Sequence, residues 1–169
     1  MKVALVTGGA TGIGAATVEA LATENIAVAI QYSSSSNEAK ALSDKLKSAG
    51  KKVEIFQSDL TKAGAAESLV SQVKSSLGVI DILINNAGVM SDSSIIEMSD
   101  QLWDEAINLN LTASFKLMRA CAPDMIAKKW GRIINVSSQV ALTGSADHCL
   151  LYTSPSPRDA TLSRMPSSA

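Results

Sequence analysis

The sequence predicts an α/β fold, a doubly wound parallel sheet with helices on both faces. Three observations carry that expectation. Along residues 1–148, short uninterrupted apolar runs alternate with longer stretches of helical spacing. Such runs suit strands buried on both faces. A glycine-rich turn joins the first run to the first helical stretch. The order β-α-β-α-β-α-β-α-β is the one that right-handed crossovers build into a parallel sheet.

Each element has a local reason. Val3-Ala4-Leu5-Val6 is a strand bounded by Gly8-Gly9. Ala15 to Thr23 carries small and apolar residues at helical spacing, and Ile26 to Ile30 is a second strand. Asn37 is positioned to cap a helix that runs to Ala49 and stops at Gly50. Val53-Glu54-Ile55-Phe56 is the third strand. Ala65 to Leu77 puts Leu69, Val70 and Val73 on one helical face, with Gly78 as the stop. Ile80 to Ile84 is the fourth strand. Ser99 caps a long helix reaching about Lys128, and Pro123 inside it predicts a kink. Ile133-Ile134-Asn135-Val136, after Gly131, is the fifth strand.

Composition excludes several function classes. Fifteen basic residues against sixteen acidic ones leave a net charge of -1, so no electrostatic footprint for nucleic acid or an anionic membrane is expected. No apolar stretch approaches the ~20 residues of a membrane helix, and the opening Met1-Lys2-Val3-Ala4 lacks a signal-peptide pattern. The two cysteines, Cys121 and Cys149, form no disulfide framework, which fits a cytoplasmic location. Cys121 reads as a small buried apolar side chain, and Trp103 and Trp130 as packing residues. His148 is the one histidine, so no histidine-based metal cluster or catalytic triad is expected.

The loop Thr7-Gly8-Gly9-Ala10-Thr11-Gly12-Ile13-Gly14 carries the strongest chemical signal. Its glycines permit a tight turn and close backbone approach. The N–H groups that open the following helix face outward, where the helix dipole favours phosphate. Position after a buried strand and before a helix makes this a dinucleotide-binding turn of Rossmann type.

The ordered motifs resemble those of the short-chain dehydrogenase/reductase family. Thr-Gly-x-x-x-Gly-x-Gly is similar to that family's cofactor loop, and Asn85-Asn86-Ala87-Gly88 to its second signature. Asn110 in Asn108-Leu109-Asn110-Leu111 matches its helix asparagine. Gly131 to Ser138 resembles the strand that leads to its catalytic serine. Within the family, overall similarity points to the 3-oxoacyl-[acyl-carrier-protein] reductases and their acetoacetyl-CoA reductase relatives. Sugar, steroid or other alcohol dehydrogenation is the alternative, and a non-catalytic nucleotide-binding module is a further one.

The resemblance implies roles. Gly8, Thr11, Gly12, Ile13 and Gly14 would hold the pyrophosphate of NADP or NAD. Asp59 and Leu60 would contact adenine, with a helix N-cap as the alternative for Asp59. Asn86, Ala87 and Gly88 would line the ribose beside nicotinamide, while Asn85 would bond backbone across neighbouring strands. Ser138 would hydrogen-bond the substrate oxygen, and Asn110 would hold a water. Gln31-Tyr32-Ser33-Ser34-Ser35-Ser36 places no acid at the end of the second strand. An acid there would bond the ribose 2′-hydroxyl, so its absence, with Ser33 as a hydroxyl donor, favours NADP over NAD. The implied substrate is a small-molecule carbonyl compound carried on acyl carrier protein or CoA, and the implied assembly a homo-tetramer.

The character of the chain changes after His148. The family's tyrosine follows its serine by about a dozen residues, and its lysine lies four further on. From Ser138 that spacing predicts position 151, which is Leu; Tyr152 is one step late, Ser156 stands where the lysine belongs, and no Lys follows Lys129. Tyr152 is therefore a decoy. Three of the four prolines lie beyond His148, in residues whose composition reads as disordered. Residues 149–159 can be back-translated with permitted codons into a run resembling a transposon-end sequencing adapter, and residues 163–169, after a short index, into its flow-cell end; a natural frameshifted or truncated protein is the alternative. The expectation is a partial nucleotide-binding domain at 1–148, about five of seven strands, followed by a non-native tail at 149–169. Lacking the tyrosine and lysine, this chain is expected to be inactive, with the fifth strand left as an unpaired apolar edge.

Overall fold

The computed structural model describes residues 1–90, 93 and 96–138. His148, Cys149, Tyr152 and the rest of the predicted tail lie outside the described residues. Met1–Val89 and Ile107–Val136 form one compact unit, and Met90–Ala106 and Ser137–Ala169 a second.

The first unit is built on a five-stranded parallel sheet. Its strands are β1 (Val3–Val6), β2 (Ala27–Tyr32), β3 (Val53–Gln57), β4 (Ile82–Asn85) and β5 (Arg132–Asn135). They lie in the order β3-β2-β1-β4-β5. Chain order reverses beside β1, so the carboxyl ends of β1 and β4 diverge into loops on opposite sides of a crevice, as the doubly wound fold requires. The helices of this unit are α1 (Gly12–Thr23), α2 (Ser36–Ser48), α3 (Ala65–Ser76) and α5 (Ala113–Ala127), with α4 (Asp100–Ile107) preceding the last.

The period-two alternation of each strand explains the two cores. Leu5, Ala29 and Leu83 point to one face and meet Leu69 and Val73 of α3 with Leu117, Cys121 and Met125 of α5. Val6, Val28, Ile30 and Ile84 point to the other and meet Val18 and Ala22 of α1 with Leu42 and Leu46 of α2. Both faces are apolar, which is why the central strands read as continuous apolar runs. β5 differs: all four of its residues are exposed, Ile133 and Ile134 among them.

Several boundaries depart from the sequence reading. β2 runs on to Tyr32 because Gln31 and Tyr32 pair with Phe56 and Gln57. The start of α2 is Ser36, with Ser35 at the cap position, so Asn37 lies inside the first turn and caps nothing. Pro123 sits within α5, which continues through it to Ala127. In the second unit Ser99 does cap α4, its Oγ accepting the Leu102 N–H at 3.2 Å. The long helix predicted to about Lys128 is not uniformly α-helical. Asn108–Thr112 is a π-helical turn in which the Ala113 N–H reaches the Asn108 carbonyl, five residues back. Trp130 is more than packing: the Lys2 ammonium lies 3.7 Å and the Arg132 guanidinium 5.1 Å from its ring centroid.

At the amino ends of the strands, Asp81 ties three segments together. Its Oδ2 accepts the Val3 N–H at 2.9 Å and its Oδ1 accepts from Lys128 Nζ at 2.8 Å. Burial alone would raise its pKa. The Lys128 ammonium and the Val3 N–H outweigh burial and hold the carboxyl below the usual carboxylate range. A depressed folded-state pKa means stability that is present above the unfolded pKa and lost as pH falls through the folded one. Asp81→Asn is expected to cost about 1–2 kcal/mol at pH 7, since the carboxamide still accepts from Val3 but loses the charge-assisted bond to half-exposed Lys128. In denaturant titrations the gap between wild type and variant should close as pH falls below about 4; a gap independent of pH would contradict this role.

Candidate functional site

Thr7, one residue beyond β1, buries its side chain completely. Its Oγ1 donates to the Ile84 carbonyl at 3.3 Å and accepts the N–H groups of Asn86 and Ala87, both at 3.0 Å. Asn86 returns the contact: its Nδ2 donates to the carbonyls of Thr7 at 2.9 Å and Gly8 at 3.2 Å. These bonds lock the glycine loop to the end of β4. The Asn86 side chain thus holds the carbonyls of the glycine loop. A side chain committed to two backbone acceptors has its amide donors occupied.

Gln31 makes the matching link on the β2 side. Its side chain is buried, with Oε1 accepting the Gly8 N–H at 2.8 Å and Nε2 donating to the Ser58 carbonyl at 2.7 Å. The Gln31 carbonyl also accepts the Gly9 N–H at 2.9 Å. Neither Thr7 nor Gln31 had a role in the sequence reading. The signal available was a polar residue at the end of each of two otherwise apolar strands.

The close approach at the loop explains why Gly14 must lack a side chain. A Cβ there would overlap the Gly8 carbonyl oxygen and lie 2.7 Å from Asn86 Nδ2. At Gly12 a Cβ would meet nothing within 4 Å, and only its left-handed backbone, φ +53°, disfavours a side chain. The first turn of α1 therefore begins immediately beside the locked loop, and its leading N–H groups have no preceding helical carbonyl to bond.

An open cleft of about 190 Å³ lies across the carboxyl ends of the strands in this unit. Gly8, Thr11, Ser33, Asp59, Leu60, Ala87 and Gly88 of the predicted set line it, together with Gln31, Tyr32, Ser34, Ser35, Ser58, Thr61 and Leu109. Gly12, Ile13 and Gly14 open α1 and are outside the lining. Asp59 accepts both the Thr61 hydroxyl at 2.6 Å and the Thr61 N–H at 3.0 Å, an Asx-type turn. Those two bonds, with Lys62 3.7 Å away, hold its carboxyl below the usual range against a smaller effect of burial. Among the described residues no Lys or Arg lines the cleft, and at the β2 end the lining presents hydroxyls without a carboxylate.

Asn110 lies in the π-helical turn and pairs with the backbone of Val89, accepting its N–H at 2.8 Å and donating to its carbonyl at 2.9 Å. The Asn110 carbonyl has Ser114 Oγ at 3.4 Å. Asn85 spans β4 and β5 as expected, although its partner is the Asn135 side chain at 2.8 Å and not backbone. Ser138, half-buried, follows β5 and belongs to the second unit. Cys121 is buried, which with Asp124 nearby pushes its thiol up to about 12; it is an inert apolar residue. Among the described residues no group of His, Cys, Asp and Glu is placed to hold a metal, and no helix is long and apolar enough to cross a membrane.

The model of the short chain dehydrogenase family matches residues 2–154, running past His148. The chain belongs to the short-chain dehydrogenase/reductase family. As a member, it is 34% identical over 144 residues to the 3-oxoacyl-[acyl-carrier-protein] reductase of Staphylococcus epidermidis, covering 85% of this chain and 59% of that protein. It is 38% identical over 144 residues to the enzyme of the same name from Escherichia coli (strain K12), covering 85% and 57%. This family member therefore spans less than two thirds of the length of those curated relatives. Among solved structures it resembles a blue fluorescent protein from a metagenomic library in complex with NADPH, with a TM-score of 0.83 and 35% identity. That match covers 89% of this chain and 61% of the other. A metagenomic short-chain oxidoreductase in complex with NADP matches with a TM-score of 0.83 and 35% identity over 88% of this chain and 67% of that one.

The glycine geometry gives a paired test. Gly14→Ala should destabilise the fold by about 2 kcal/mol through overpacking. Gly12→Ala should cost about 1 kcal/mol, from backbone strain alone. Chemical denaturation of both variants checks the order; an unchanged midpoint for Gly14→Ala would contradict the packing.

Proposed function

We propose that this chain is the cofactor-binding part of an NADP-dependent carbonyl reductase whose substrate is a 3-oxoacyl thioester carried on acyl carrier protein or CoA. The observation that carries the cofactor reading is the cleft wall at the end of β2. Ser33, Ser34 and Ser35 line it where a carboxylate would repel a 2′-phosphate. The names of the relatives at 34–38% identity support the substrate reading, and the NADPH and NADP held by the two structural neighbours support the cofactor.

The residues present fit such a dinucleotide. Gly12, where a Cβ would meet nothing within 4 Å, leaves the approach to α1 free of a side chain, and the opening N–H groups of that helix suit a pyrophosphate. Ala87 and Gly88 form the wall toward the nicotinamide ribose, and Leu60 the apolar wall toward adenine. When bound, NADPH supplies a hydride to the carbonyl carbon. Ser138 donates a hydrogen bond to the carbonyl oxygen, and Asn110 holds the backbone after β4 in place while its turn anchors a water.

Protonation of that oxygen requires a tyrosine whose pKa is lowered from about 10 by a nearby lysine. We place that pair in the native sequence following His148, and read residues 149–169 as a non-native tail in which Tyr152 is a decoy. The native protein is then a cytoplasmic homo-oligomer, and the 169-residue chain lacks its general acid. Loss of a general acid typically removes 10²–10⁴ in rate.

The test compares the 169-residue chain with the protein encoded by its native gene. NADPH-dependent reduction of acetoacetyl-CoA should be measurable for the native protein and at least ~10²-fold slower for the 169-residue chain. The native codons after His148 should encode Tyr-x-x-x-Lys. Full activity of the 169-residue chain, or a native gene without that pair, would overturn the reading.

A further inference from the structure

We propose that Gln31 is a positioning residue for cofactor binding, one that sets the glycine loop against the adenine-side wall of the cleft. This rests on the reading of the cleft as a dinucleotide site. Among the cleft-lining side chains, Gln31 bonds both walls at once. Its Oε1 takes the Gly8 N–H at 2.8 Å and its Nε2 reaches the Ser58 carbonyl at 2.7 Å. The residue is only 2% exposed, so neither bond has water as a ready substitute.

The arrangement fixes where an anion can bind. With the Gly8 N–H on the Gln31 side chain and the Gly9 N–H on the Gln31 carbonyl, both leading amides of the turn point back into the protein. An anion is left with the later amides, at the start of α1. Ser58 is the residue before Asp59 and Leu60, so the same carboxamide also sets how far the adenine-side wall stands from the loop. Both functions need one donor and one acceptor at the ends of a side chain of this length. Asn is a methylene too short to span both, and Leu has neither group.

The charge environment makes the idea testable by titration. Among the described residues, Tyr32 on the same strand and Asp59 after β3 are the titratable groups lining the cleft, with Lys62 beside Asp59. β1 carries none, and Glu54 of β3 is ion-paired with Lys47 of α2 at 3.2 Å. A Gln31→Glu carboxyl would find no cation at its own position. In its neutral form it can donate to Ser58 while accepting from Gly8, as Gln does. Once ionised it would face the Ser58 carbonyl and lie near the cofactor's phosphates, both repulsive.

The experiment titrates NADPH into the protein from the native gene, following nucleotide fluorescence between pH 5.5 and pH 8.5. The wild-type curve carries the titration of the nucleotide's own 2′-phosphate, at pH ~6, and is the reference at each pH. Gln31→Glu should match it within a few-fold at the acid end and weaken at least ~10-fold toward the alkaline end. Gln31→Leu should bind weakly at every pH. Circular dichroism at each pH confirms that the variants remain folded. A Gln31→Glu protein that stays folded and binds NADPH like wild type at every pH would overturn the proposal. So would a Gln31→Leu protein of unchanged affinity, because a residue that only stabilises the fold would shift the melting point and leave the folded protein's affinity alone. Failure of wild type to bind NADPH at all would instead overturn the cofactor reading on which the proposal stands.

Discussion

The hydroxyl of Thr7 is the contact on which the rest of the site depends. It sits where β1 ends and β4 turns away, buried among backbone groups that the sheet no longer pairs. One oxygen accepts two successive N–H groups, those of Asn86 and Ala87, and gives its proton to the Ile84 carbonyl. Without it, two partly buried donors lose their acceptor together, at up to about 1–3 kcal/mol each. Asn86 then holds the carbonyls of Thr7 and Gly8, and Gln31 takes the Gly8 N–H from the other side. The glycine loop is thus gripped by the protein before any ligand arrives.

The two ends of the sheet divide the work. At the carboxyl ends, polar side chains are spent on shaping a cleft. At the amino ends, Asp81 joins the start of β1 to Lys128 after α5 and contributes to stability with no part in the cleft. Between them lie two apolar layers on opposite faces of the sheet. This separation lets the loops at one end adopt strained, glycine-dependent shapes while the strands that carry them stay fixed. The π-helical turn at Asn110 follows the same logic. It interrupts regular helix bonding so that one side chain can pair with both polar groups of Val89.

Much of this was legible in the sequence, for a physical reason. Strands buried on both faces must be apolar throughout, so Val3–Val6 and Ile82–Ile84 announce themselves, and the order of elements fixes the strand order. The glycine loop was legible because close approach demands glycine at Gly14. What was missed depends on partners distant in sequence. Gln31 reads as the polar end of a strand until Ser58 and Gly8 are brought to it. The hold of the Asn86 side chain on Thr7 and Gly8 likewise joins distant parts of the chain. Asn37 resembles a cap, yet Ser36 already starts the helix. The π-helical turn has no periodic signature, because five residues are too short a stretch for a change of period to show.

The central claim is that the cofactor loop is held by buried polar contacts in the ligand-free protein. Native-state hydrogen exchange of the backbone amides of Gly8, Gly9, Asn86 and Ala87, without nucleotide, tests it most directly. All four should exchange as slowly as amides in the central strands β1 and β4, and Thr7→Val should release Asn86 and Ala87 selectively. Exchange of these four amides at the rate of an open surface loop, with protection gained only when nucleotide is added, would contradict the account.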